Sequence, residues 1–334
     1  NLAGSTLFLF AVGTLYGIMG TLNMADLARQ IAMLPAEHLG PVKAAGLLLF
    51  GVFALKSAVL PLHLWLPAAY ANTSAPVAAL FAIMTKVGAY SILRMETLLF
   101  GGDAGLLANM LNTWLLPLAL LTLAVGLLGV LAATSLRQQT AYLLVASVGS
   151  LLTAFGLGSS AGIAAGLYYL PHTTFATAAL FLLADSISRR RGELDDRFAV
   201  GAVMCDRRLR GGLFVVAAML IAGLPPMPGF IGKWLMLQAA LPHPWLAWIM
   251  GVILVTSLLG IIALARAGSV LFYRAETAPP ATDKPPMASR TRELLPATGL
   301  LSLCAALVIW AGPVDEFARA TADQLLHADQ YVRA

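Results

Sequence analysis

The chain has 334 residues, 59% of them hydrophobic and only 11% charged, where a soluble domain carries about a quarter charged residues. With a mean hydropathy of +0.83, this composition excludes both a water-soluble globule and a disordered polypeptide. The formal charge of +5 is unevenly spread, and no basic stripe is interleaved with stacking aromatics, so nucleic acid is not an expected partner.

The first stretch, NLAGSTLFLFAVGTLYGIMG, has no basic n-region and no cleavage site, so it is not a signal peptide. It is long enough to cross a bilayer, and the chain is expected to start inside a longer protein, at or within a span. Apolar runs of about 20 residues then predict roughly nine spans: 1 to 20, 42 to 60, 75 to 99, 112 to 135, 138 to 157, 161 to 186, 212 to 240, 245 to 272 and 293 to 311. Backbone polar groups in lipid must be satisfied within the segment, and runs such as LLPLALLTLAVGLLGVLAA do not alternate, so the expected fold is all-α, a polytopic transmembrane helix bundle, and not a β-barrel.

Loop charges set the expected orientation. The linker 188 to 211 holds seven arginines, Arg189, Arg190, Arg191, Arg197, Arg207, Arg208 and Arg210, and the linker 274 to 292 holds Arg274, Lys284, Arg290 and Arg292. Both are expected on the cytoplasmic side, with the LPHP hairpin at 241 to 244 outside. By parity the Arg137 loop lies inside, while the Thr21 to Val42 loop and the tail lie outside; Arg29 and Lys43 count against this assignment but are outnumbered. Residues 275 to 286, rich in Pro, Ala and Thr, read as a flexible loop, and the tail from Pro313 reads as a short surface helix against a neighbouring subunit.

Of the five lysines, Lys56, Lys86 and Lys233 fall within apolar runs. Insertion near a span centre costs about 2.5 to 3.5 kcal/mol for each lysine, a cost that a merely structural bundle has no reason to carry. The competing explanation is snorkelling, in which the ammonium reaches the headgroups; it is hardest to apply to Lys86, which has ten or more span residues on either side. His172, beside Pro171 and close to Thr173 and Thr177, and His63, seven residues after Lys56, are candidate relay groups, or else neutral histidines bonded to a partner helix.

Two spans are interrupted. The second carries Pro61 and Pro67, with Pro76 beyond, and the seventh carries Pro225, Pro226, Pro228 and Gly229. Each interruption frees carbonyls that persist in a membrane only against protein or a wet cavity, and each lies beside a lysine. Five spans separate the two, as in transporters built from two like halves, although ordinary proline kinks would give the same letters. No nucleophile constellation is evident, Gly156, Gly158 and Gly162 lack dinucleotide spacing, and Cys205 and Cys304 suggest neither a disulfide framework nor zinc, so no catalytic site, cofactor or metal is expected.

The segments GTLNMADLA (20 to 28), LKSAVLPLHLWLPAAYANTSAPVAALFAIMTKVGAYSILR (55 to 94) and AGLPPMPGFIGKW (222 to 234) resemble the antiporter-like membrane subunits shared by Mrp-type cation/proton antiporters and respiratory complex I. The resemblance extends over essentially the whole chain. It implies a fourteen-helix fold with two inverted repeats and discontinuous helices, of which this chain would hold roughly the last nine: residues 1 to 111 ending the first repeat, 112 to 273 forming the second, and 274 to 334 adding a last span and tail.

The same resemblance implies that Lys56, Lys86, His172 and Lys233 form a proton-transfer axis, with His63 in a PLHxWLP motif. A family glutamate that pairs with the first lysine has no counterpart here. Lys233 favours the Mrp group, since the complex I counterpart usually carries glutamate at that place. The expected function is that of a proton-translocating subunit in a multisubunit Na+(K+)/H+ antiporter of a bacterial inner membrane, with the lipid bilayer, other membrane subunits, protons and monovalent cations as partners. A redox-linked pump subunit of complex I or of a membrane hydrogenase, a standalone carrier and a structural scaffold are the competing readings.

Overall fold

A computed structural model describes residues 2–201, 204, 206–274 and 291–333. Cys205, Lys284, Arg290 and the 275 to 286 segment lie outside the described residues. Among the described residues the secondary structure is helical, with a single isolated bridge between Ser135 and Arg197.

In chain order the helices are α1 (Leu2–Met19), α2 (Met24–Ala32), α3 (Leu39–Ser57), α4 (Trp65–Ala71), α5 (Ala75–Arg94), α6 (Asn112–Ala132), α7 (Leu136–Phe155) and α8 (Ser160–Arg191). They continue with α9 (Arg207–Ala222), α10 (Pro228–Ala240), α11 (Leu246–Gly268), α12 (Leu295–Ile309), α13 (Ala311–Leu326) and α14 (Ala328–Arg333). Seven of the nine expected spans coincide with helices long and apolar enough to cross a membrane. The other two are instructive. Span 138 to 157 is α7, a 20-residue helix buried along nearly its whole length, so that it meets protein where other spans meet lipid and carries Gln139, Thr140, Ser147, Ser150 and Thr153. Span 212 to 240 is divided into α9 and α10, 16 and 13 residues long, separated by the turn at 223 to 227.

Local sequence explains the starts and stops. Ser135 caps α7 by accepting from the Gln138 amide, and Ser159 caps α8 by accepting from the Gly162 amide. Pro76 and Pro228 sit in the first turns of α5 and α10, where a missing N–H costs nothing. Helix α8 runs unbroken for 32 residues through Pro171. Two expectations need correction. The stretch from Thr21 to Val42, read as a loop, contains α2, whose N-cap Asn23 accepts from the amides of Ala25 and Asp26. The tail helix α13 packs on its own chain: Ala318, Ala322 and Leu325 join a core with Ile163 and Ala164 of α8, and Ser160 donates to the Asp323 carboxylate.

The helix ends sort into two groups. Leu136 donates to the Asp196 carbonyl, Asp196 accepts from the Arg137 amide at 2.5 Å, and Arg137 pairs with Asp185 at 3.3 Å, which puts the Arg137 loop and the 188 to 211 linker at one end. Arg29 donates to the Val332 carbonyl, which places the 21 to 42 segment and the tail together at another.

Candidate functional site

Helix α5 carries Lys86, 1% exposed, and its ammonium donates to the Ser147 hydroxyl of α7 at 2.6 Å. Ser147 in turn donates to the Leu144 carbonyl at 2.6 Å. One direct acceptor leaves two of the three ammonium donors of Lys86 available to other partners.

Ser147 opens onto an internal cavity of about 40 Å³ bounded by α6 to α11, whose polar lining includes Ser150, His172, Thr173, Lys233 and Ser257. A water needs about 10 to 15 Å³ measured this way, so the cavity has room for about three, and its hydroxyls supply the partners that such waters require.

The second break forms the far wall. Helix α9 ends where Gly223 turns left-handed (φ 77°), donating its amide back to the Met219 and Leu220 carbonyls. That conformation suits glycine. The Ala222 carbonyl, left without a helical partner, accepts from the Lys233 ammonium at 2.8 Å, and Ser257 of α11 accepts from the same ammonium at 3.0 Å.

His172 of α8 is 1% exposed, its ring lies edge-on to Tyr169 at 5.6 Å, and it is within electrostatic reach of both Lys233 and Lys86. Its Nδ1 has no hydrogen-bond partner among the described residues. Gly229 makes room for this ring: a Cβ there would stand 2.3 Å from the Leu220 carbonyl oxygen and 2.7 Å from His172 Nε2.

Of the residues singled out in the sequence, the fold therefore brings His172 and Lys233 to the lining of one cavity, and Lys86 reaches it through the Ser147 hydroxyl. It does not bring Lys56 or His63 there. Lys56 sits exposed in the last turn of α3, while its neighbour Ser57 is buried against Gly88 of α5. His63 is buried in a short 3-10 turn, Leu62–Leu64, with Nδ1 unpartnered among the described residues, and it does not line the cavity.

The proline-rich stretches also divide. Pro61 lies in the first interruption and Pro225 and Pro226 in the second, and the Leu60–Pro61 and Pro225–Pro226 peptide bonds are cis. Pro67, by contrast, is in the first turn of α4 and interrupts nothing, because the N–H it lacks would be unpaired there anyway.

Sequence reasoning missed Ser147, Ser150 and Ser257. The available signal was a pair of serines three residues apart in an apolar run, which puts both on one helix face. It also missed Glu96, in the π-helical turn Met95–Leu99 that extends α5, whose two carboxylate oxygens are enclosed without a hydrogen-bond partner among the described residues.

Residues 1–260 match the family described as NADH:quinone oxidoreductase/Mrp antiporter, transmembrane. The chain is 35% identical to a subunit of a probable K(+)/H(+) antiporter from Rhizobium meliloti, over 98% of this chain and 65% of that one. It is 32% identical to a subunit of the Na(+)/H(+) antiporter of Alkalihalophilus pseudofirmus, over 100% of this chain and 66% of that one. It thus spans slightly less than two thirds of the length of these relatives. Among solved structures, a chain of the Mrp complex from a Dietzia species superposes with a TM-score of 0.84 at 26% identity, covering 100% of this chain and 68% of that chain.

Proposed function

The chain belongs to the NADH:quinone oxidoreductase/Mrp antiporter transmembrane family, and on that premise we propose that it is the proton-translocating part of an Mrp-type membrane subunit, equivalent to those relatives, in a multisubunit monovalent cation/proton antiporter. The observation that carries this reading is the sequence of contacts Lys86, Ser147, cavity, His172, Lys233: one amine and an imidazole line a cavity inside an apolar bundle, and a second amine is bonded to a hydroxyl in its wall.

Protons move along this line by exchange between the amines and the imidazole, with hydroxyls and cavity waters as bridges. Like-charge repulsion sets the order: a proton arriving at Lys86 makes a second positive charge at His172 or Lys233 less favourable, so that occupancy at one position drives release at the next. The hydroxyls of Ser147 and Ser257 hold each amine at the cavity wall, and the Ala222 carbonyl gives Lys233 a fixed resting place.

Proton entry is coupled to export of sodium or potassium together with other membrane subunits; the names of the relatives divide between these two cations. The location is a bacterial inner membrane with the linkers 188 to 211 and 274 to 292 cytoplasmic, a topology supported by the clustering of the Arg137 loop with the first linker at one end. The chain divides into a first half to residue 111, a second half from 112 to 273 and a closing segment, each half holding one interrupted helix.

The test is Lys86→Ala and Lys233→Ala in the full-length protein within its complex, with cation-driven proton flux followed in membrane vesicles. Antiport falls to background in both variants while assembly, followed by co-purification of the subunits, stays intact. Normal flux in either variant would overturn the relay.

A further inference from the structure

Helices α9 and α11 leave between them, on the surface of the described bundle, an apolar groove of about 350 Å³. Its walls are Phe214, Val215 and Ala218 on one side and Ile261, Ala265 and Gly268 on the other. The direction of the groove follows from three contacts. The Phe214 and Phe272 rings stand 5.5 Å apart, a Cβ on Gly268 would lie 2.8 Å from Phe214, and a Cβ on Gly211 would lie 3.5 Å from Phe272. The start of α9 therefore lies beside the end of α11, and the groove runs from this end inward past Leu264 to Ile261 and Ala222. Ala222 and Leu264 line both the groove and the cavity, so a single layer of side chains separates the two.

Four arginines gather at the outer end. Arg207 and Arg208 open α9, Arg266 lies two residues before Gly268, and Arg274 follows the π-helical turn Ser269–Tyr273 that continues α11. Arg208, Arg266 and Arg274 are exposed, and none of the four forms an ion pair among the described residues. The carboxylate adjoining Arg207 in the chain, Asp206, is engaged by Arg210 at 2.8 Å and Arg190 at 3.9 Å.

An apolar slot with unpaired guanidinium groups at one mouth is complementary to a molecule with a hydrocarbon chain and an anionic phosphate head. Guanidinium groups bind phosphate oxygens in a bidentate manner, and basic sites between spans on the cytoplasmic side suit acidic headgroups. Arg266 lies deeper than the others, and an arginine stem is long enough to carry its guanidinium from there toward the headgroup level. A zwitterionic lipid would fill the slot but leave the excess positive charge uncompensated, and an apolar partner helix would do the same. We propose that the groove between α9 and α11 is a binding site for an anionic phospholipid, whose acyl chain ends against Ala222, the residue whose carbonyl holds Lys233.

The test uses the purified full-length complex, incubated in mixed micelles containing either phosphatidylglycerol or phosphatidylcholine and then examined by native mass spectrometry. Phosphatidylglycerol is retained on the protein and phosphatidylcholine is not. The double variant Arg208→Gln, Arg266→Gln lowers retention several-fold, and so does Ala265→Trp, which fills the slot from an exposed position and leaves the helical packing in place. Co-purification of the other subunits checks that the variants assemble. Equal retention of the two lipids, or retention unchanged in both variants, overturns the proposal. So does a crosslink from Val215→Cys to another subunit in place of a lipid probe. The readout is binding and not transport, so its failure is separable from failure of the proton relay.

Discussion

At the first helix break Ala58 turns left-handed (φ 58°), and at the second Gly223 does (φ 77°). The groups that each turn frees are satisfied in opposite ways. Around the first, the Leu55 carbonyl accepts from the Trp65 indole at 3.0 Å and the Leu60 amide donates to the Thr122 hydroxyl at 3.0 Å, so neutral side chains complete the turn. Around the second, the Ala222 carbonyl accepts from an ammonium. The lysines also lie on opposite sides of their breaks: Lys56 precedes its break and is exposed, whereas Lys233 follows its own and is held between α9 and α11. An interrupted helix offers polar backbone to whatever packs on it, and the packing elements decide whether that becomes a charge site or only a well-bonded turn.

The largest expected effect comes from crowding the two breaks. Gly229→Ala would push a methyl against backbone and against His172, and it should cost about 3 kcal/mol in thermal denaturation of the purified complex. Gly88→Ala presses on the first break through the Ser57 hydroxyl at 2.5 Å and the Ser57 amide at 3.0 Å; the hydroxyl can turn away, so about 1 to 2 kcal/mol is expected. Equal costs at the two positions would remove the contrast between a break built around a charge and one that is not.

Next in size is the contrast between lysines. Lys86→Met removes a buried ammonium worth about 2.5 to 3.5 kcal/mol of insertion cost and gives up one charged hydrogen bond worth about 1.5 to 3 kcal/mol. The variant should be about 1 kcal/mol more stable while losing transport. Lys56→Met, at an exposed position, should change stability by no more than about 0.5 kcal/mol. A destabilised Lys86→Met would mean that the amine serves structure.

The smallest effect concerns the clamp that joins the ends of α7 and α8, the helices that carry Ser147 and His172. Burial pushes the Asp196 carboxyl above its ordinary value of 3.8, against the opposing pull of the Arg137 amide and guanidinium. The folded chain therefore holds more protons than the unfolded one in the window just above that value, and this carboxyl's contribution to stability declines as pH rises through it. Asp196→Asn should flatten the slope in melting curves recorded from about pH 4 to about pH 7. An unchanged slope would assign the pH dependence to other groups.

The helical spans and their approximate ends were legible because a bilayer demands about 20 apolar residues in a row. Lys86 and Lys233 were legible as charges whose cost calls for a reason, and His172 as an imidazole beside them. The exposure of Lys56 was not, because its surroundings, VFALKSAVL, are as apolar as those of Lys86, AIMTKVGAY. Pro67 reads like Pro61 in the sequence and differs only in lying at a helix start. The seating of α13 on α8 was equally hidden: its thin stripe of Ala318, Ala322 and Leu325 says that something covers it, without saying what.

By itself the sequence determined that this protein is a membrane bundle, roughly where its helices are interrupted and which charges fall within apolar runs, since those properties depend on chain composition within about 20 residues. Tertiary structure decided which lysine faces a cavity, which serines complete it and which freed carbonyl meets an ammonium. A helix that is apolar all round has no sequence-encoded inner face, and the partners of Lys86 and Lys233 come from α7, α9 and α11, 61, 11 and 24 residues away along the chain.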